Sequence, residues 1–352
     1  MKRHYSNGSG AHPSRFREDV LPRAQQRGLT MVELLVALVI GLLITLAAIA
    51  ALMATRRGFN TVDASSQLRD NGRFATDLIL RLGVQSGFKD VFYAAKPPSP
   101  SEIAANIAPN ITGFNNAVSS SSDPLNASTA RTAGVEGYGS DILILRYQAL
   151  ETFPGSGISD KSMIDCAGNS STSVPSTRDE RMASILHVAV SQGEPSLMCS
   201  TVNSSGTISD QQPIIQGVEN FQVLYGTDGA SAGVAPPVSP ASSAAISDVV
   251  PDRFLRADQM TVAGDAVGTN ANWRRVRSLR IGMVLRGSQN STQERVSQTF
   301  YPLGAGKSAA TGSAGSAMSS SDDPGTVFTP SIDGRLRQVV TFTVHLRNDQ
   351  GL

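Results

Sequence analysis

The feature that most constrains this chain is Leu34–Ala54, 21 consecutive residues without a charge, with the acid Glu33 immediately before them. A helix rises about 1.5 Å per residue, so the run spans roughly 30 Å, one hydrocarbon core. Its flanks give it a direction. Residues 1–28 carry six basic side chains (Lys2, Arg3, Arg15, Arg17, Arg23, Arg27) against Glu18 and Asp19, a surplus of +4, while the whole 352-residue chain carries +1. Basic flanks stay in the cytoplasm, so the residues beyond the run are expected to be exported. A net charge this small gives no global field that would recruit nucleic acid.

Three readings of the run compete. A cleavable secretory signal has an apolar core of about 7–15 residues, shorter than this one, although Leu52-Met53-Ala54 would pass for a poor cleavage site. A plain signal anchor explains the length and the basic flank but gives Glu33 no purpose, since a carboxylate at the bilayer edge costs energy. The third reading cuts the chain after Gly28 and sets the new amino group of Leu29 four residues from Glu33, a movable charge pair at the tip of an apolar helix.

Gly28-Leu29-Thr30-Met31-Val32-Glu33 resembles the type IV prepilin processing motif. In that family a membrane-embedded aspartic peptidase cuts after the glycine and methylates the new N-terminus. Leu29 stands where the family usually has phenylalanine. The resemblance implies that Glu33 meets the N-terminus of a neighbouring subunit, because two charges in a packed helix bundle are tolerated only when paired. Residues 1–28 are then the prepilin leader, and Ser6–Ser14 within it has the composition of a disordered tail.

Beyond the membrane the helix is expected to continue, with 29–56 as the transmembrane and assembly half and 57–88 as an amphipathic half. Phe74, Ala75, Leu78, Ile79 and Leu82 form one stripe at helical spacing, which reads as packing against a sheet. Arg73, Asp77 and Arg81 are placed for i,i+4 pairs. Gly58, Gly72 and Gly83 are weak points, each costing about 1 kcal/mol against alanine. A bend or loosened turn is expected near Gly58, and Gly83 or Gly87 should end the helix. Gln67–Ala75 followed by Gln85-Ser86-Gly87-Phe88 resembles the first helix of minor pilins of the PilW type, with Ser86 where alanine is usual. Val218–Tyr225 and Val339–Asn348 resemble that family's central and closing strands.

Residues 89–137 lack a sustained period and read as an irregular connection. Residues 138–352 read as a β-rich head with long Ser/Gly-rich loops at 228–250 and 303–330. Strands are expected at Asp141–Gln148, Ser184–Val190, Ile214–Gly226 (one bulged or two), Ser278–Gly287 and Gln338–Asn348. The fold class is therefore α+β and type IV pilin-like: a long N-terminal helix packed on an antiparallel sheet.

The two cysteines, Cys166 and Cys199, lie in the exported part, where an even pair favours a disulfide. No zinc site is indicated, because His187 and His345 are the only exported histidines. Gly304–Ser308 resembles half a phosphate loop, but Tyr301 occupies the place of the first glycine. Ser319–Gly325 offers the oxygens of a loose calcium loop without the spaced carboxylates of a defined one. Arg274-Arg275-Val276-Arg277 beside Trp273 reads as a solvated strand face, with nucleic acid contact left open though not indicated. No catalytic constellation is found, and no metal or cofactor is called for.

The resemblance implies a minor pilin, not an enzyme: processed at Gly28 and Leu29 by the prepilin peptidase, assembled through Leu29 and Glu33 with other major and minor pilins, and acting at the filament tip. It implies an inner-membrane protein with a periplasmic head before assembly and a place on the pilus afterwards. The competing readings are a minor pseudopilin of a type II secretion system and a membrane-anchored adhesin.

Overall fold

In the computed structural model the described residues are 28–209, 211–237, 250–304 and 322–348. The leader before Gly28, most of the Gly304–Ser308 stretch and Ser319–Ser321 lie outside them. The chain divides into two units, one ending at Arg56 and one beginning at Arg57.

The first unit carries the N-terminal part of α1, the helix Met31–Gln85. Every described residue of this unit is exposed, including Leu34, Leu35, Val39, Ile40, Leu43, Ile49 and Leu52. Leu, Val, Ile and Ala cover the helix all round, so no face is left polar to meet water, which is the pattern of a lipid-facing span. The most apolar 18-residue window has a mean hydropathy of 2.9, and none of it is buried within the molecule. The helical assignment passes through Gly58 without interruption, so the expected loosened turn is not found there.

The second unit holds the remainder of α1 and all the strands. Two antiparallel sheets dominate it. The first has the order β1 (Ile111–Phe114), β4 (Ile142–Tyr147), β5 (Met182–Ser191), β6 (Glu194–Val202), β7 (Gln212–Gln216). The second has the order β11 (Arg337–His345), β10 (Val276–Arg286), β8 (Val218–Thr227), β9 (Arg253–Leu255). A small hairpin pairs β2 (Ala117–Ser119) with β3 (Ala127–Ala130), and the helix α4 spans Ala266–Trp273.

One core joins α1 to both sheets. Leu68, Ala75, Ile79 and Leu82 of the helix share it with Leu143 and Leu145 of β4, Phe221, Val223 and Tyr225 of β8, and Leu279, Ile281 and Met283 of β10. A smaller cluster on the opposite face of β4 gathers Ile142, Ile144, Ala183 and Ile185, with Ala117 of β2. β4 is thus covered on both faces, which is why Ile142–Tyr147 reads as an apolar run and not as an alternation.

The buried stripe of α1 is Ala64, Leu68, Gly72, Ala75, Ile79, Leu82 and Gly83; of the expected stripe Ala75, Ile79 and Leu82 are buried and Leu78 packs against the core, but the Phe74 side chain is exposed. The difference comes from the partner. In the register of β10 and β11, Met283 lies opposite Val340, Ile281 opposite Phe342 and Leu279 opposite Val344. Val340 comes up against Gly72, and Val344 against Gly83. The helical glycines therefore mark the close approach of helix and strand. α1 ends at Gln85, and Gly87 follows with φ +76°, the left-handed cap that glycine adopts without strain. Asn348, at the end of the chain's last strand region, donates its Nδ2 to the Val84 carbonyl at 2.6 Å and satisfies one of the helix's open acceptors.

Residues 89–137 are not the irregular connection expected. They hold the short helices α2 (Val91–Ala94) and α3 (Pro100–Ala104), the latter closed by a Ser99/Glu102 capping box, and the strands β1, β2 and β3. Strands of three or four residues carry too little period to be read from sequence, and β1 exists because β4 offers it an edge. The Ile214–Gly226 stretch resolves into two strands. They break at Gly217 (φ +83°), where a Cβ would lie 2.5 Å from the Arg286 carbonyl. β6, β9 and α4 have no counterpart among the expected elements.

Candidate functional site

The processing motif lies at the start of α1. Thr30 is the N-cap: its carbonyl accepts from the N–H groups of Glu33 and Leu34 at 3.1 Å, and its Oγ1 accepts from Glu33 N–H at 3.3 Å. Thr30-x-x-Glu33 before an apolar run is a recognisable helix-start pattern, and this role of Thr30 was legible but missed. Glu33 is consequently the third residue of the helix. The open N–H groups of the first turn favour a negative charge there. Gly28, Leu29 and Glu33 are all exposed, and among the described residues no cation forms an ion pair with Glu33. A Cβ on Gly28 would meet nothing within 4 Å.

The part of α1 in the second unit also carries an unpartnered face. Phe59, Val62 and Phe74 are 69%, 66% and 55% exposed. Arg69, Asp70, Arg73, Asp77 and Arg81 are exposed beside them. The expected Arg73–Asp77–Arg81 pairs are not formed: among the described residues the ion pairs lie elsewhere.

Cys166 and Cys199 are joined by a disulfide with their Cα atoms 5.8 Å apart. It ties the loop after β4 to β6. The same loop is docked on the end of α1: Gln85 Nε2 donates to the Ile164 carbonyl at 3.1 Å, and Gln85 Oε1 accepts from Ile164 N–H at 3.2 Å. His187 lies opposite Met198 in the β5–β6 ladder, and its Nε2 is 3.2 Å from Ser200 Oγ. Burial, helped by the nearby Arg131, lowers its pKa to about 4, so it is a neutral core histidine at ordinary pH.

The basic cluster at 274–277 is not a solvated face. Arg274 Nη2 donates to the Ile107 carbonyl, Arg275 to the Asp228 carbonyl, and Arg277, almost fully buried, to the Arg274 carbonyl. A groove of about 380 Å³ beside it is lined by Lys89, Glu102, Ile103, Arg178, Arg181 and Arg274. Its arginines hold the 89–110 segment in place: Arg178 donates to the Tyr93 and Lys96 carbonyls, and Arg181 to the Ala108 carbonyl.

A network that no local pattern signals joins the two sheets. Arg337 binds Glu219 through two bonds (2.6 and 2.9 Å) and Asp333 at 2.7 Å. Arg286 bridges Glu219 at 3.2 Å and Glu194 at 2.9 Å, and Arg335 binds Glu194 at 2.9 Å. Burial alone would lower the Arg337 guanidinium, but Glu219 and Asp333 hold it well above its ordinary range. These partners are up to 141 residues apart in sequence, so only the fold assembles them.

Residues 185–348 match the family described as type IV pilus-assembly protein W, and residues 23–49 match the prokaryotic N-terminal methylation motif. A membrane-length apolar helix under a prepilin motif, continuing into antiparallel sheets, makes this chain a type IV pilin-like protein. Within that class it resembles the PilW type, the minor-pilin-like kind, over the matched part of its head. A prepilin motif implies processing by a prepilin peptidase, association with other pilins and anchoring in a membrane. Among solved structures, a type IV-like pilin from Thermus thermophilus aligns with 80% of this chain and 97% of its own, at 12% identity and a TM-score of 0.36. No curated protein sequence matches the chain.

Proposed function

We propose that this chain is a minor pilin that takes part in assembling or priming the filament at its tip. The prepilin peptidase removes residues 1–28 after Gly28 and methylates the amino group of Leu29. Before assembly the apolar helix sits in the inner membrane with the head in the periplasm. On assembly the Leu29 amino group and Glu33 pair with the complementary groups of neighbouring pilins, and the exposed face around Phe59, Val62 and Phe74 packs against their helices. The chain's role is assembly and not catalysis.

The observation that carries this reading is Glu33: a carboxylate in the first turn of an apolar helix, exposed, and met by no cation within the described residues. In a helix bundle of low dielectric such a charge persists only when a partner supplies the opposite one. Intact-mass analysis of the membrane-expressed protein, with and without a co-expressed prepilin peptidase, tests the first step. Loss of residues 1–28 with one added methyl is expected. An unprocessed mass beside an active peptidase would overturn the reading in favour of an anchored adhesin.

A further inference from the structure

The tight turn Asp323–Thr326 sits on the outer side of β8, over Asn220 and Gln222. Thr326 N–H and Oγ1 both donate to the Asp323 carbonyl, at 3.2 and 2.7 Å, and close the turn. Gly325 (φ +91°) lets it descend: a Cβ there would lie 2.7 Å from Asn220 Nδ2 and 2.8 Å from the Gly139 carbonyl, and would overlap Gln222 Nε2. Asp323 Oδ1 accepts from Asn115 Nδ2 at 3.1 Å, and Arg256 Nε stands off at 3.9 Å, committed to Asp258 by two bonds of 3.0 Å. Asp141 completes the cluster, with Oδ1 on the Asn116 N–H and Oδ2 on the Val223 N–H.

Oxygens are left over in this nook. Asn220 is wholly buried, and neither its Oδ1 nor its Nδ2 has a partner. Asn115 Oδ1 and Gln222 Oε1 are buried without partners too. Asp141 and Asp323 are 2% and 5% exposed. We propose that the nook binds a calcium ion, with Asp323 as its anionic ligand, the amide oxygens of Asn115, Asn220 and Gln222 as neutral ligands, and Asp141 as the second negative charge facing it. Calcium takes six to eight hard oxygens in irregular arrangements, including carboxamide carbonyls, whereas magnesium demands a regular octahedron and keeps its waters. Zinc would want nitrogen or sulfur, and the described residues hold no cluster of three or more histidines, cysteines or acids. A trapped water can donate only two hydrogens. The nook presents three orphaned acceptors and two carboxylates against one orphaned donor, an imbalance that a cation relieves. The site concerns the head alone and is independent of how the N-terminal helix assembles.

The test is thermal unfolding of the full chain in detergent, in excess calcium chloride, in magnesium chloride and in chelator. Calcium is expected to raise Tm over chelator, by about 5 °C at roughly a hundred times Kd, and magnesium to raise it far less. Asp323→Asn should lose the calcium response yet melt no lower than the parent in chelator. Asn220→Leu, which removes the orphaned atoms while keeping their volume, guards against a folding defect and should be stable and nearly blind to calcium. Equal melting of the folded parent in calcium and chelator would overturn the proposal, as would a calcium shift that persists undiminished in both variants.

Discussion

Gly83 of α1 lies against Val344 of β11 with no room for a Cβ, which would overlap Val344 Cγ1. One turn-and-strand contact thus sets how closely the helix approaches the sheet. Gly83→Ala should gain about 1 kcal/mol of helix propensity and lose about 1–3 to overpacking, a net destabilisation. Gly72→Ala meets a single valine methyl, Val340 Cγ2 at 2.9 Å, a lesser overlap than that at Gly83, and should cost less. Denaturant unfolding of the two variants checks the contrast. If Gly83→Ala is the more stable of the pair, the close approach is not what holds this glycine.

Ser86 tests the helix terminus. Its side chain is wholly buried and its Oγ has no partner. A buried hydroxyl without a hydrogen bond costs about 1–3 kcal/mol, and alanine at the same place would keep the packing and remove the cost. Ser86→Ala is expected to raise stability by about 1 kcal/mol. A loss on thermal melting would mean that the hydroxyl is bonded after all.

The disulfide closes a sequence separation of 33 residues. Loop entropy assigns such a bridge about 3–4 kcal/mol. The double replacement Cys166→Ala and Cys199→Ala should lower the unfolding free energy by that order. The loop at Ile164 should then exchange its amide hydrogens faster, because the Gln85 contacts alone must hold it. Unchanged melting under reducing and oxidising conditions would show that the bridge does not form.

Much of this was legible because it is local. The apolar run and Glu33 stand next to each other in the chain, and Val340, Phe342 and Val344 announce one face of β11 by strict alternation. What was illegible is what depends on a distant partner. Helical spacing assigns Phe74 to the core at the edge of its stripe, yet where that stripe ends is decided by the contacts with Val340 and Val344, more than 250 residues away in sequence. The Glu194, Glu219, Arg286, Arg335 and Arg337 network has no spacing to read. β1 and β3 are strands only because a neighbouring edge completes them. Thr30 is the exception, a local cap pattern that was there to be read.

His187 should make the head sensitive to acid. Its folded-state pKa, about 4, is depressed from the ordinary 6.5, chiefly by burial. As pH falls below about 6.5 the unfolded chain takes up the proton first, so stability declines until the folded state can also bind it near pH 4. Above 6.5 the group contributes no slope. The full difference is roughly 3 kcal/mol. His187→Gln should flatten the part of the stability–pH curve between those limits and leave the curve above pH 7 unchanged in slope. An undiminished acid slope in the variant would assign the sensitivity to other groups.

Glu33 has two separable roles, and a pair of variants separates them. As the third residue of α1 it complements the positive end of the helix, while Thr30 Oγ1 caps its N–H. If that local stabilisation were its whole purpose, Thr30→Ala, which removes a cap worth about 1 kcal/mol, would harm the protein as much as Glu33→Gln does. In the assembly reading the two part company. Thr30→Ala frays one turn of a helix that the membrane or the bundle restores, so the chain should be processed and incorporated into filaments. Glu33→Gln keeps the size and hydrogen-bonding capacity of the side chain and removes only the charge, so the leader should be cut but the neighbour's amino group left unpaired in the bundle. Quantifying each variant in sheared filaments against the membrane pool decides between them. Equal incorporation of Glu33→Gln and the parent would remove the charge pair from the account of assembly.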